Sequence, residues 1–351
     1  MIDEIPMTIQ AAVLYGQGDL RIEDRPAPAC GPGEVLLRVR SVGVCGSDVH
    51  YYTEGRIGGI AITAPTVMGH EAAGEIAAVD ADVTGFAVGD RVAVEPSLTC
   101  GTCEWCLSGR YNVCPNVAHL GTPPCDGIYQ TLFATPPRRC YPIPPDLSFD
   151  EGAMLEPLSV GVHAVRLAPT RPGETVAVLG CGPIGLMTLQ VARAGGAGRI
   201  IATDLIDDRL EAARRLGATD VLNAGAVDTT EAVLDLTGGR GADVVYEAAG
   251  APETFQAALD VACRCATVAL IGIYAAGASP LSLHLARRKE LTVRLVRRFR
   301  FAYERAIDLV RRGAVDVASM VTHTFDLSET ERAFKLVAAH DDGVIRAVIR
   351  P

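Results

Sequence analysis

The sequence has no low-complexity tract, no internal repeat and no excess of positive charge, and each absence narrows what the chain can be. With 49% hydrophobic and 21% charged residues, it has the composition of a folded globular protein rather than a disordered one. A formal net charge of -10 gives no general electrostatic reason to bind phosphate backbones or anionic lipid, so neither nucleic acid nor a membrane is expected as a partner. The run Arg297-Arg298-Phe299-Arg300 is a local exception that can hold an anion. No secretory leader is expected either, since Met1-Ile2-Asp3-Glu4 carries acid where a leader carries base, and a cytoplasmic location is expected. Two stretches without formal charge, Thr175 to Ala192 and Cys265 to Leu285, approach the length of a membrane span. The first contains four glycines or prolines around a turn, and the second is broken by Gly272, Gly277 and Pro280, which fits a buried strand followed by a loop. The cysteines do not form a disulfide framework either. There are 11, an odd number with uneven spacing, and four of them fall between residues 100 and 114, a clustering that points to metal.

At 351 residues the chain exceeds what one hydrophobic core usually fills, so two domains are expected. Up to about residue 150 it reads as short β runs, such as Val35 to Val39 and Arg91 to Val94, separated by Gly and Pro turns. From Glu174 it alternates strand, glycine turn and helix. Thr175 to Leu179 reads as strand, Ile184 to Ala194 as helix, Ile200 to Asp204 as strand and Asp208 to Leu216 as helix. Asp243 to Glu247 and Thr267 to Ile271 continue the pattern, which predicts a doubly wound parallel sheet of α/β class.

Directly after the first of these strands stand Gly180, Cys181, Gly182, Pro183, Ile184 and Gly185, the pattern G-x-G-x-x-G with strand before it and helix after it. The first glycine permits the tight turn, the second admits a pyrophosphate to the backbone and the third lets helix and strand pack closely. Asp204, at the end of the second strand, can accept from both ribose hydroxyls and would repel a 2′-phosphate, so NAD is expected over NADP. Arg209 keeps a 2′-phosphate contact open or lines the adenosine edge. Cys100, Cys103, Cys106 and Cys114 form C-x2-C-x2-C-x7-C, a spacing that wraps four thiolates around a tetrahedral Zn²⁺ with no vacancy, hence a bracing site. Free buried thiols and an iron-sulfur centre are the alternatives, and the spacing matches neither common ferredoxin arrangement. Earlier in the chain Cys45, His70 and Glu71 offer sulfur, imidazole and carboxylate, a donor set that suits zinc with an open position. Spacing alone does not separate that reading from a buried thiol beside a turn histidine.

Val44-Cys45-Gly46-Ser47-Asp48-Val49-His50, Met68-Gly69-His70-Glu71, Gly89-Asp90-Arg91-Val92, the four-cysteine lobe, Glu156-Pro157-Leu158-Ser159-Val160-Gly161 and the nucleotide fingerprint together resemble the zinc-containing medium-chain dehydrogenases. The similarity covers nearly the whole chain and is nearest to their sorbitol and xylitol dehydrogenase branch. It implies a β-rich GroES-like catalytic domain at 1–156, completed by 298–351, and a Rossmann domain at 157–297. It further implies that Cys45, His70 and Glu71 bind a catalytic zinc, with Glu156 either binding it or holding its water. Ser47 and His50 are expected to relay the alcohol proton, and Asp48 to orient His70. Tyr51, His119, Arg298 and Phe299 are expected at the substrate. The reaction implied is oxidation of a secondary hydroxyl of a polyol by NAD, with threonine 3-dehydrogenase and butanediol dehydrogenase as relatives on the same framework. A nucleotide-binding protein without catalysis is the reading from another class. A homotetramer or homodimer, paired through edge strands of the nucleotide sheets, is also implied. Two departures from the branch stand out: Phe301-Ala302-Tyr303-Glu304, where relatives more often carry Asn first and Pro last, and His119, where they usually carry an aromatic or apolar residue.

Overall fold

The computed structural model describes residues 5–274 and 281–351, so the expectations attached to Met1-Ile2-Asp3-Glu4, Gly277 and Pro280 lie outside the described residues. The chain forms two compact units, Met1–Glu156 with Val321–Pro351 and Pro157–Met320.

In the first unit a mixed seven-stranded sheet runs in the order Cys140–Pro142, Arg91–Val94, Glu71–Val79, Val35–Gly43, Arg346–Arg350, Val321–Asp326, with Leu132–Thr135 paired to Val35–Gly43. The strand Val35–Gly43 sits at the centre because it is apolar on both faces, with only Arg38 and Arg40 not buried. Beside this sheet Thr8–Gly16 pairs antiparallel with Asp19–Pro26 and with Thr66–Val67. The core between them gathers Leu14, Leu37, Val39, Met68, Ile76, Tyr129 and Phe334, among others. Two helices, Gly46–Glu54 and Thr330–Ala339, meet through Tyr52, whose ring lies edge-on to Phe334 at 5.7 Å and whose hydroxyl donates to Glu331 at 2.8 Å.

In the second unit six parallel strands lie in the order Asp220–Asn223, Arg199–Asp204, Thr175–Leu179, Ala242–Glu247, Ala262–Leu270, Thr292–Leu295. The chain enters this sheet in the middle, builds to one edge, returns and builds to the other, so the strand order reverses beside Thr175–Leu179. That reversal is the place where an open parallel sheet binds its ligand. The central strands are runs of buried Val, Ile, Leu and Ala, as expected where helices cover both faces. The strand predicted from Thr267 starts earlier, at Ala262, and ends at Leu270. The segment 298–320, expected with the first unit, clusters with the second. One reason is Gln190, a buried amide that accepts from the Asp316 N–H at 2.7 Å and donates to the Asp316 carbonyl at 3.2 Å. Among the described residues no helix is long and apolar enough to cross a membrane.

Candidate metal centres and nucleotide site

Cys45 is the residue at which the strand Val35–Gly43, after one buried valine, turns into the helix Gly46–Glu54; it occupies the N-cap in extended conformation. Its N–H donates to Asp48 Oδ2 at 3.3 Å, which closes the first turn and places Asp48 under the cluster. Asp48 also accepts from the Gly69 N–H at 3.3 Å and from the Tyr129 hydroxyl at 3.0 Å, and its Oδ1 lies 3.5 Å from His70 Nδ1. An almost wholly buried carboxylate with this many donors is fixed in place, and it fixes the ring of His70 in turn. His70 directly precedes the strand Glu71–Val79, so imidazole and carboxylate leave the chain from adjacent positions.

The metal-ligating atoms of Cys45, His70 and Glu71 lie within 4.8 Å of one another. Those of His70, His119 and Glu156 do the same, which makes His70 the member shared by two groups. Glu156 enters from the first turn of the helix Leu155–Leu167, and His119 from a two-residue strand paired with Ser97–Leu98. The His70 and His119 rings stand 5.2 Å apart and are tilted by 52°.

Charge in this cluster is balanced from behind. Arg346, buried in the apolar strand Arg346–Arg350, pairs with Glu71 through Oε2. The other oxygen of Glu71, Oε1, is buried and has no hydrogen-bond partner among the described residues. Burial opposes ionisation of the Cys45 thiol, but His70 and then Arg346 outweigh it and bring the thiol down to about 7. Burial likewise opposes protonation of His70, and Asp48 and Cys45 overcome that, holding the imidazole well above its usual range. A thiol that ionises readily, a carboxylate oxygen with no donor and a second buried carboxylate form a donor set that calls for a cation, and zinc fits it.

The four-cysteine lobe meets a stricter test. Cys100 Sγ lies 3.9 Å from Cys106 and 3.5 Å from Cys114, and Cys103 Sγ lies 3.8 Å from Cys114. A tetrahedron with zinc-sulfur bonds of about 2.3 Å has edges of about 3.8 Å, so these sulfurs already stand at the corners of a zinc site. Hydrogen bonds from the Thr102 and Cys103 backbone, followed by the Thr102 side chain, bring Cys100 down to about 5. Cys106 is pushed up to about 12 by desolvation and then by the neighbouring Cys103.

In the second unit Gly180 adopts φ +95°, which its turn requires, and a Cβ on Gly185 would collide with the Gly180 carbonyl. A Cβ on Gly182 would meet nothing within 4 Å, so the space there lies open to a ligand rather than being filled by the protein. Gly182 is the N-cap of the helix Pro183–Ala194, and no side chain caps it, the state of a helix start that receives an anion. Asp204 accepts from the N–H groups of Cys181 at 2.7 Å, Leu205 at 2.8 Å and Ile206 at 3.0 Å, which ties the second strand's end to the glycine turn. Ile184 lies in that helix's first turn, and Arg209 in the helix Asp207–Leu216.

Ser47 and His50 lie three apart on the helix Gly46–Glu54, on one face, and His50 Nδ1 contacts Glu54 Oε1 at 2.7 Å. Tyr51 is buried with the first unit's core. Arg298 and Phe299 belong to the second unit: Arg298 holds a left-handed φ of 49°, and Phe299 is buried edge-on to Tyr303 at 5.6 Å. Sequence reasoning missed Arg346, Tyr129 and Ser97, whose Oγ lies 3.2 Å from His119 Nδ1. Arg346 had a signal, being a lone charge inside Val344-Ile345-Arg346-Ala347-Val348-Ile349. Tyr129 and Ser97 had none.

Two family profiles match the chain, the alcohol dehydrogenase GroES-like domain over residues 31–145 and the zinc-binding dehydrogenase over residues 183–312. Among curated proteins, the sorbitol dehydrogenase of Bacillus subtilis (strain 168) is 40% identical over 351 residues, covering 100% of this chain and 99% of that one. A probable D-xylulose reductase A of Aspergillus clavatus is 40% identical over 339 residues, 93% of each chain. Among solved structures, an oxidoreductase/dehydrogenase of unknown specificity from Escherichia coli superposes with a TM-score of 0.92 at 35% identity, covering 98% of this chain and 99% of that one.

Proposed function

We infer that this chain, which belongs to the zinc-binding alcohol dehydrogenase family, is an NAD-dependent polyol dehydrogenase that oxidises a secondary hydroxyl to a ketone. The observation that carries the reading is the pairing of two dissimilar metal sites in one unit: a closed set of four sulfurs that can only brace, and a mixed set of sulfur, imidazole and carboxylate that can do chemistry. The substrate class rests on the sorbitol and xylulose relatives, which match over nearly the full chain.

In this reading the first unit is the catalytic domain and the second binds the dinucleotide. Cys45, His70 and Glu71 hold the catalytic metal, and Glu156 stands beside them to bind it or to hold its water. When bound, zinc supplies a Lewis acid that makes an alcohol hydroxyl acidic near neutral pH, and NAD supplies the hydride acceptor. Asp48 holds the ring of His70, and Arg346 offsets the charge of Glu71 so that the site does not accumulate anions. Ser47 takes the hydroxyl proton and passes it to His50, whose side chain is 45% exposed and delivers it to water, with Glu54 steadying the ring. Gly180, Gly182, Pro183, Ile184 and Gly185 seat the pyrophosphate, and the Asp204 carboxylate binds the ribose hydroxyls, which favours NAD over NADP. Arg209 lines the adenosine edge, while Tyr51, His119, Arg298 and Phe299 serve the substrate. The working protein is a cytoplasmic homotetramer or homodimer, paired through the exposed edge strand Thr292–Leu295.

The test is NADH formation by metal-replete protein across xylitol, sorbitol, ribitol, arabinitol, 2,3-butanediol and threonine, with NADP in place of NAD as control. Turnover of one or more polyols with NAD is expected. Turnover confined to threonine or butanediol would overturn the substrate class, and none on any alcohol with both metal sites filled would overturn the enzymatic reading.

A further inference from the structure

We propose that His119 is itself a metal ligand, forming with His70 and Glu156 a second seat for the metal that Cys45, His70 and Glu71 hold. The proposal rests on the reading of this cluster as a metal centre. It goes further by giving the centre a second imidazole and by changing the role of His119 from substrate contact to coordination.

Three observations in the first unit carry it. The ligating atoms of His70, His119 and Glu156 converge to within 4.8 Å, as closely as those of Cys45, His70 and Glu71. All three residues are buried, and a buried carboxylate facing two imidazoles is costly without a cation among them or a proton shared between them. The two histidines are also prepared in the same way. Each has an oxygen near Nδ1, Asp48 Oδ1 at 3.5 Å for His70 and Ser97 Oγ at 3.2 Å for His119. A metal-bound histidine nearly always donates its other ring N–H to such an oxygen, which fixes the tautomer and points Nε2 at the ion. Ser97 is held opposite His119 by the short antiparallel pairing of Ala118–His119 with Ser97–Leu98, so the contact is built into the backbone register. The arrangement gives the metal a sulfur-containing seat on one side of His70 and a seat of two imidazoles and a carboxylate on the other. A shift from the first seat to the second exchanges thiolate for imidazole without releasing His70.

The experiment uses the full chain loaded with ¹¹³Cd²⁺ at both metal sites and labelled with ¹⁵N in its histidines. A scalar coupling between ¹¹³Cd and a histidine ring nitrogen is seen only where that nitrogen is bound. The four-sulfur site gives a cadmium resonance with no histidine coupling and reports that the fold is intact. Couplings from both His70 and His119 are expected, assigned by loss of one of them in His119→Phe. Chelator competition should show the affinity of the mixed site falling by about 10-fold or more in that variant, while the four-sulfur site is unchanged. His119→Gln, which keeps the polarity of the position, should lose the coupling as well. Coupling from His70 alone in the unmodified chain overturns the proposal and leaves the metal centre standing. Coupling from neither histidine, with cadmium bound only by the four sulfurs, overturns the metal centre with it.

Discussion

At the metal cluster a single buried arginine decides whether the carboxylate can be kept. Glu71 and Arg346 are both almost wholly buried, and taking away one partner of such a pair leaves the other charge without compensation, which costs about 3–5 kcal/mol. Arg346→Met should therefore lower the unfolding midpoint of the protein sharply, whereas a surface pair such as Arg21 with Asp19 can be removed with little effect. Thermal denaturation of Arg346→Met beside Arg21→Met checks this, and equal midpoints would contradict it. Asp204 carries the second prediction at this scale. In the proposed reading this carboxylate, held by three backbone donors, stands where a 2′-phosphate would have to sit, so Asp204→Ser should narrow the preference for NAD over NADP by about 10- to 100-fold, the range of 1.5–3 kcal/mol for hydrogen bonds to a charged group. Steady-state kinetics with both cofactors measures it, and an unchanged ratio would place cofactor choice elsewhere. Asp204 was legible in the sequence because a βαβ unit brings a strand end to a fixed place beside the glycine turn. The partners of Asp48 were not, because Tyr129 lies 81 positions further along the chain and only the folded sheet brings them together.

The elements explain why some of the chemistry could be read early. The strands Arg91–Val94 and Thr175–Leu179 and the helix Pro183–Ala194 stand where apolar periodicity and glycine punctuation put them, to within a residue or so. The edge strand Thr292–Leu295 escaped notice, since Thr-Val-Arg-Leu is exposed along its whole length and, among the described residues, pairs on one side only. The short helix Glu104–Leu107 of the four-cysteine lobe buries no residue, so in the proposed reading metal, more than the packing of this helix, holds the lobe. Cys103→Ser should reduce bound zinc by one equivalent per chain and lower the melting midpoint by roughly 5 °C or more, at about 2–4 °C per kcal/mol for a unit of this size. Zinc analysis and a thermal scan together check it, and full zinc content in the variant would contradict the assignment. The helix Leu155–Leu167 supplies a pH dependence. His163, buried on it, is brought down to about 4 by desolvation first and then by Arg166 and Arg300, and its Nδ1 accepts from Arg166 at 2.6 Å. The unfolded chain takes up this proton near 6.5, whereas the folded chain resists until about 4. Stability is therefore intact above 6.5 and is lost as pH falls through that window. His163→Gln keeps an acceptor for Arg166 without a titrating ring, so its midpoint should gain on that of the unmodified protein between pH 6.5 and 4; a constant difference would be the contrary result.

For the whole molecule, the division of labour follows from what each unit can build. A mixed sheet with long, irregular connections can bring Cys45, His70, His119 and Glu156 from four separate segments into one cluster, and such convergence leaves little trace in spacing. A doubly wound sheet places its ligand by topology alone, which is why the candidate dinucleotide site could be proposed from one motif and one acidic residue. The candidate mixed metal site became legible only through resemblance to a family, and the group of His70, His119 and Glu156 only in the folded chain. Hydride leaves an alcohol in this account because the mixed site, and not the four-sulfur lobe, makes the hydroxyl acidic. The most direct measurement is NADH formation from xylitol or sorbitol by the metal-replete protein beside Cys45→Ser, with zinc content recorded for both. Turnover by the unmodified chain is expected, with a loss of about 100-fold or more in the variant, exceeding the 10- to 100-fold typical of disturbing a residue behind a metal ligand, and with the four-sulfur site still filled. Equal turnover in Cys45→Ser, or none in the unmodified chain with both sites filled, would contradict it.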